Sequence, residues 1–286
     1  MTFIEPMLAG MFDEKVIIRP GSHIVEEKYD GHRLIVHVTH EKIGAWSRGF
    51  KPRDLPDYLL DALSNLPHGV YDGELIAVDN QRFYHVKTKS ERLRLVLFDV
   101  LELMNESTVN LRWEHRRLLL LKALETADVK WWDPNVPVAA SRVITVDSRH
   151  DVEREARTAW DAGLEGLIVK EVKGLYRPGR RGREWTKVKE EKSAVLTVVG
   201  FERGRGELFD RGPCAVTVLE DDNGVRTKVK TLNDAECRRL EKEWEAVAMI
   251  QPHPAVRESR KLRISYQTMT HTGGYQHPMW DRWENE

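Results

Sequence analysis

The sequence predicts a mixed α/β (α+β) chain with antiparallel sheets, followed by a small β-barrel. Runs rich in β-branched and aromatic residues, bounded by Asp-Gly and proline, recur through the N-terminal part. Between them lie stretches with leucine, alanine or tryptophan at helical spacing. From Ser193 onward the pattern changes to short strands interrupted by one helix, which suits a small five-stranded barrel of the OB type.

In chain order, strands are predicted at Ile24–Tyr29, Leu34–Thr39, Ile43–Trp46, Val70–Val78 and Arg94–Leu101. Helices are predicted at Asp54–Asn65, Arg112–Thr126 and Ser148–Ala162, with Asp147-Ser148 as a start signal and Gly163 as a stop for the last. The second part has strands at Ala194–Phe201, Ala215–Glu220 and Val225–Thr231, with Asp222-Asn223-Gly224 as a turn. A helix over Asp234–Ala248 and a final strand over Leu262–Met269 complete it. No repeat or low-complexity linker separates the parts, so the predicted domains are 1–190 and 191–286, with a short junction near Glu190–Ser193.

At 286 residues, 41% of them hydrophobic, the chain suits one large or two medium domains, given that domains run roughly 100–200 residues. A charged share of 32% points to a soluble protein. No apolar run approaches the roughly 20 residues that span a bilayer. Met1-Thr2-Phe3-Ile4-Glu5-Pro6 lacks the basic-then-apolar order of a secretory signal, so a cytoplasmic location and no membrane contact are expected. Cys214 and Cys237 have no metal-ligand spacing and are expected to be buried or incidental.

Formal net charge is −1, whereas nucleic-acid binders are often basic. The distribution matters more than the sum. Lys173, Arg177, Arg180, Arg181, Arg183, Lys187, Lys189, Lys192, Arg203 and Arg205 crowd one stretch, while acids collect between Glu236 and Glu245 and at the C-terminus. The Gly179–Arg183 loop leads straight into Trp185-Thr186-Lys187-Val188-Lys189, which favours a phosphate-facing surface over a merely solvated one.

The most informative stretch is Glu26-Glu27-Lys28-Tyr29-Asp30-Gly31-His32-Arg33. By itself a Lys-x-Asp-Gly quartet reads first as a β-hairpin turn carrying a surface lysine. It is followed, in order, by Trp46-Ser47-Arg48-Gly49, Tyr71-Asp72-Gly73-Glu74-Leu75-Ile76, Leu95-Val96-Leu97-Phe98-Asp99-Val100, Glu165-Gly166-Leu167-Ile168-Val169-Lys170 and Trp185-Thr186-Lys187-Val188-Lys189. Each element is weak alone; the ordered set is specific. The chain resembles the ATP-dependent DNA ligases of the compact phage and bacterial type, within the covalent nucleotidyltransferases. The resemblance extends into the tail Arg263–Thr270 with Gly273-Gly274 and His277-Pro278.

That resemblance implies an enzyme that seals nicks through a lysyl-AMP intermediate. Lys28 would attack the α-phosphorus of ATP and expel pyrophosphate. AMP then passes to the 5′-phosphate of a nick, and the 3′-hydroxyl attacks and releases it. A lysine amine attacks only when deprotonated, so neighbouring cations such as Lys187 and Lys189 would help, and would neutralise phosphate. Glu74 would contact ribose and share in metal binding, Glu165 would be a metal ligand, and Asp30 would orient the nucleophile or bind metal. Mg²⁺, or Mn²⁺ in its place, suits a few carboxylates plus phosphate oxygens. Aspartate before glycine is also ordinary turn chemistry, which is the competing reading of Asp30 and Asp72. Glu74 and Glu165 could likewise be solvent-facing strand residues.

Glu26 lies two residues before Lys28, so strand alternation puts both on one face. A carboxylate accepts from the amine of adenine where guanine offers a carbonyl, which favours ATP over GTP. Glu27 and Lys170 are further nucleotide-pocket candidates. Phe98 would stack on the base, or be a plain core residue. Arg33 and Arg48 would hold ribose or phosphate.

DNA contact is expected from Arg177, Arg180, Arg181 and Arg183, and from Lys51 and Arg53, giving salt-sensitive binding of nicked duplex by a monomer. The last family motif is poorly matched: Trp280-Asp281-Arg282-Trp283-Glu284-Asn285-Glu286 has no lysine, leaving Arg282 to orient pyrophosphate. NAD is disfavoured as donor, because ligases that use it carry an added N-terminal domain and zinc-binding cysteines. Two alternatives stand: an RNA ligase or capping-type guanylyltransferase, and a non-catalytic single-strand binder built on the barrel.

Overall fold

Alternation of apolar side chains divides the N-terminal part into two sheets, each with one helix-covered face and one face turned toward the other sheet. The computed structural model describes residues 3–78, 92–130, 133, 135–190, 192–250, 260–266, 268–269 and 273–284. It falls into two compact units, Met1–Lys189 and Glu190–Glu286. Among the described residues no helix is long and apolar enough to cross a membrane.

The first sheet holds β3 (His32–Val38), β4 (Ile43–Ser47), β5 (Gly69–Ala77), β6 (Leu93–Leu103) and β7 (Glu106–Ser107) in the order β4-β3-β5-β6-β7. A short parallel strand, β8 (Val138–Ala140), joins β6. Leu34, Val36, Tyr71, Leu75, Leu95 and Leu97 point to one side, against leucines of α1 (Asp57–Ser64) and α2 (Trp113–Thr126). The second sheet runs β1-β11-β10-β2-β9, from β1 (Leu8–Met11), β2 (His23–Glu27), β9 (Val143–Val146), β10 (Gly166–Glu171) and β11 (Arg181–Lys189). Its Val25, Val146, Leu167 and Val169 pack on Val152 and Ala156 of α3 (Arg149–Asp161). Ser148 caps α3 by accepting from the Asp151 N–H at 3.2 Å, and Gly163 (φ 77°) supplies the left-handed residue just past its end. The remaining apolar side chains, Met7, Ile35, Val70, Leu101, Tyr176 and Trp185, form a third cluster drawn from both sheets.

The hairpin reading of Lys28–Arg33 is wrong. β2 pairs with β10 and β9, while β3 pairs with β4 and β5, so Asp30-Gly31 is the crossover from one sheet to the other. Gly31 is needed for close approach: a Cβ there would meet the Leu75 carbonyl oxygen at 2.2 Å. Asp72 is not a turn residue either. It sits mid-strand in β5, fully buried, because Arg33 and Tyr176 satisfy its charge.

The second unit is an OB-type barrel. β12 (Lys192–Glu202), β13 (Val216–Glu220), β14 (Arg226–Lys230), β15 (Lys261–Tyr266) and β18 (Met279–Trp283) form one antiparallel sheet, in the order β14-β13-β12-β15-β18. β14 and β18 approach each other, which curls the sheet around Leu196, Val198, Leu219, Val229, Leu262 and Ile264. A helix, α4 (Asp234–Ile250), is inserted between β14 and β15. The predicted final strand is divided: Lys261–Tyr266 stays in the barrel sheet, while β16 (Thr268–Met269) pairs with β17 (Tyr275–Gln276). Gln267 and Thr270 of the tail resemblance, and the terminal Asn285 and Glu286, lie outside the described residues. Cys214 and Cys237 are buried free thiols.

Candidate active site

The pleat of the second sheet aims Glu26, Ile168, Lys170, Trp185, Lys187 and Lys189 the same way. Ile168 and Trp185 belong to the cluster shared with the first sheet, so this is the inter-sheet face. On the first sheet the same parity brings Arg33 opposite Glu74 and Ile35 opposite Asp72. The crossover Lys28–Gly31 joins these two faces.

Lys28 lies one residue beyond β2, and its N–H continues the ladder to the Gly166 carbonyl at 2.9 Å. Its ammonium donates to Glu165 Oε2, and Lys189 Nζ lies 2.5 Å from the other Glu165 oxygen. Glu165 can stand there because Gly166 (φ 144°) turns the chain where a Cβ would strike the Val188 carbonyl oxygen at 2.1 Å. Burial would raise the Glu165 pKa, but the Lys28 and Lys189 ammonium groups outweigh it and hold the carboxyl below its ordinary value. Lys187 is depressed, by burial first and then by Lys189, Arg181 and Lys28. Glu74 accepts from the Gly31 N–H, and burial pushes its carboxyl up to about 8 despite Arg33 and Lys28 nearby. Asp30 lies on the crossover, two residues past Lys28.

Glu26 and Lys170, predicted as separate pocket residues, are paired with each other. Lys170 Nζ donates to Glu26 Oε2 at 2.8 Å, with both side chains almost wholly buried. Glu26 Oε1 is buried with no hydrogen-bond partner among the described residues, so it is an acceptor open to a donor. Phe98 is half-buried: Lys170 Nζ lies 4.9 Å and the Arg33 guanidinium 5.1 Å from its ring centre. Glu27 points instead toward Arg94, and burial raises its carboxyl to about 7.

Arg33 does not stand free for a nucleotide. Its Nε and Nη2 bind both Asp72 oxygens at 2.8 and 2.6 Å, leaving the Nη1 edge without a partner among the described residues. Two residues missed in the sequence complete this site. Trp185 lies 4.3 Å from Lys170 Nζ and 5.4 Å from the Arg33 guanidinium, ring centre to cation. Tyr176 donates to Asp72 Oδ2 at 2.6 Å. Trp185 opens the Trp-Thr-Lys-Val-Lys element, which was a usable signal; Tyr176 had none beyond its place before the basic loop.

Arg48 and Lys51 are exposed on the turn that follows β4, which the Phe50 N–H closes on the Ser47 carbonyl at 2.9 Å. Arg53 Nη2 faces His32 Nδ1 at 3.4 Å. Arg177, Arg180, Arg181 and Arg183 are all exposed. Arg177 is engaged by Glu184 at 3.0 Å and Arg181 donates to the Ala9 carbonyl, so Arg180 and Arg183 are the less committed cations. Arg282 is exposed on β18, 3.7 Å from Asp281 and opposite Arg263 in register. Among the described residues no group of three or more histidines, cysteines or acids is built to hold a metal unaided.

The family model described as the ATP dependent DNA ligase domain matches residues 6–189. The chain belongs to the ATP-dependent DNA ligase family. A DNA ligase of Thermococcus fumicolans is 28% identical over 227 residues, 71% of this chain and 39% of that protein. One of Archaeoglobus fulgidus is 31% identical over 225 residues, again 71% of this chain and 39% of that protein. The chain thus spans about two fifths of the length of these curated relatives. Among solved structures, one from a structure–function study of Lig E DNA ligases superposes with a TM-score of 0.74 at 20% identity, covering 99% of this chain and 100% of that one. The Chlorella virus DNA ligase-adenylate does so with a TM-score of 0.53 at 16% identity, covering 100% and 99%. At such identities these likenesses speak for the fold, a nucleotidyltransferase unit followed by an OB barrel.

Proposed function

We propose that this protein is an ATP-dependent DNA ligase, with Lys28 as the residue that takes AMP. The observation that carries this reading is Glu165 held between Lys28 and Lys189, on a face lined by Glu26, Lys170, Trp185 and Lys187. ATP use follows from the family; the roles of individual residues are our assignment.

Glu26 Oε1 is the open acceptor for the adenine amine, with Lys170 holding the other oxygen. Phe98 offers its ring to the base. Lys187 and Lys189 would neutralise phosphate, and burial, then the Lys189, Arg181 and Lys28 cations, hold Lys187 below the ordinary lysine pKa. Arg48 and the Nη1 edge of Arg33 are set for phosphate or ribose oxygens. Glu74, Glu165 and Asp30 are the groups that would hold a divalent cation, Mg²⁺ or Mn²⁺, together with phosphate oxygens. When bound, such a cation neutralises charge on the transferring phosphate.

The substrate assigned is nicked duplex DNA, bound by a monomer in the cytoplasm. Arg180 and Arg183, with Lys51 and Arg53, would contact phosphate without reading sequence. Arg282 remains the proposed counterpart for orienting pyrophosphate. Sealing assays on nicked DNA and nicked RNA duplexes, each with ATP and GTP, test the assignment. Sealing of the DNA nick with ATP supports it, and sealing of RNA alone, or GTP use, would overturn it.

A further inference from the structure

Tyr176 is a fully buried tyrosine immediately before the basic loop, and nothing in the reaction scheme uses it. Every part of it is fixed. Its N–H donates to the Val109 carbonyl at 3.1 Å, its ring meets Trp185 edge-on at 5.5 Å, and the Arg116 guanidinium lies 5.7 Å from its ring centre. Arg116 is itself locked by both oxygens of Asp99 at 2.8 and 2.9 Å. The Tyr176 hydroxyl accepts from the Met7 N–H at 2.9 Å and donates to Asp72 Oδ2 at 2.6 Å. Burial, and then Asp72, drive its pKa well above the ordinary tyrosine value, so the hydroxyl keeps its proton and stays a donor.

Asp72 therefore holds three fixed donors: Tyr176 Oη and Arg33 Nη2 on one oxygen, Arg33 Nε on the other. A bidentate pair ties the guanidinium plane to the carboxylate plane. The carboxylate, in turn, has its rotation set by the Tyr176 hydroxyl. The consequence is that the Arg33 Nη1 edge has one orientation, on the face that also carries Lys28 and Glu74.

We infer that Tyr176 is a positioning residue for phosphate chemistry, acting through Asp72 to hold Arg33; this rests on the DNA ligase reading above. Because Tyr176 adjoins Arg177, the arginine at the site and the basic loop share one anchor.

The test separates the steps on the full chain. Tyr176→Phe keeps the ring and removes only the hydroxyl. Sealing of a pre-adenylated nicked duplex should slow roughly 10–100-fold, with KM for the nicked duplex little changed. Arg33→Ala should slow the same step, and the double variant should be no slower than Arg33→Ala alone, since both act on one group. Losses that multiply independently would reduce Tyr176 to a packing residue and overturn the inference, as would sealing by Tyr176→Phe at the wild-type rate. If Tyr176→Phe fails to fold, Asp72→Asn is tested in the same cycle and must show the same non-additivity. A wild type that never accepts AMP overturns the ligase reading and this inference with it; an active wild type with an indifferent Tyr176→Phe overturns the inference alone.

Discussion

The Lys28 ammonium donates to one oxygen of Glu165 while Lys189 holds the other at 2.5 Å. One carboxylate thus keeps the proposed nucleophile and the lysine proposed to bind phosphate in a single geometry. Glu165→Gln keeps the shape and removes the charge. Its AMP uptake should fall about 10²–10³-fold, as for loss of one preorganised electrostatic partner. Uptake near the wild-type rate, followed by intact mass, would show that Glu165 is only structural.

The burial of Glu74 sets stability against its proposed role at the site. Its carboxyl titrates near 8 in the fold, above the ordinary value of 4.5, because burial disfavours its charge. A raised carboxyl pKa means the unfolded chain loses its proton first. Stability therefore falls as pH rises from about 4.5 to about 8, then levels off. Glu74→Gln escapes this, so its thermal unfolding should match wild type at pH 5 and exceed it at pH 9, by roughly 1–3 kcal/mol after allowance for partial solvent access. The same variant should lose AMP uptake.

The buried Glu26–Lys170 pair predicts a non-additive result. Glu26→Ala strands the Lys170 ammonium among Phe98 and Trp185 and should cost about 3–5 kcal/mol in urea unfolding. Replacing both, Glu26→Leu with Lys170→Met, should recover most of that loss while abolishing the preference for ATP over GTP. A double variant that keeps this preference would remove Glu26 from the nucleotide pocket.

For the basic loop, the contacts sort the arginines. Arg180→Ala with Arg183→Ala should lower the slope of log affinity against log salt by about 2, near 0.9 per phosphate contact, and leave self-adenylylation intact. Arg181→Ala should change the slope less, because its guanidinium already serves the Ala9 carbonyl. Fluorescence anisotropy on a nicked duplex across salt concentrations reads both.

Part of the candidate site was legible because period-two alternation survives burial: Trp185, Lys187 and Lys189 share one face of β11. Helices α1 to α3 and the strands β12 to β14 fall within a few residues of their predicted spans, since their apolar spacing and turn residues are local signals, whereas β18 has no counterpart among the predicted strands. What was not legible is long-range. Asp30-Gly31 reads locally as a hairpin, and only the pairing of β2 with β10 and of β3 with β5 makes it a crossover. The pairing of Arg33 with Asp72 and Tyr176, and of Glu26 with Lys170, joins residues from different elements. No spacing rule reports those distances. β1 was missed because it is four residues long and held in place by β11 rather than by its own pattern.

The measurement that tests the account most directly is intact mass after incubation with ATP and Mg²⁺, on wild type and Lys28→Ala stripped of nucleotide and pyrophosphate. Wild type should gain one AMP and Lys28→Ala none. An adduct that persists in Lys28→Ala, or none on wild type, would contradict it.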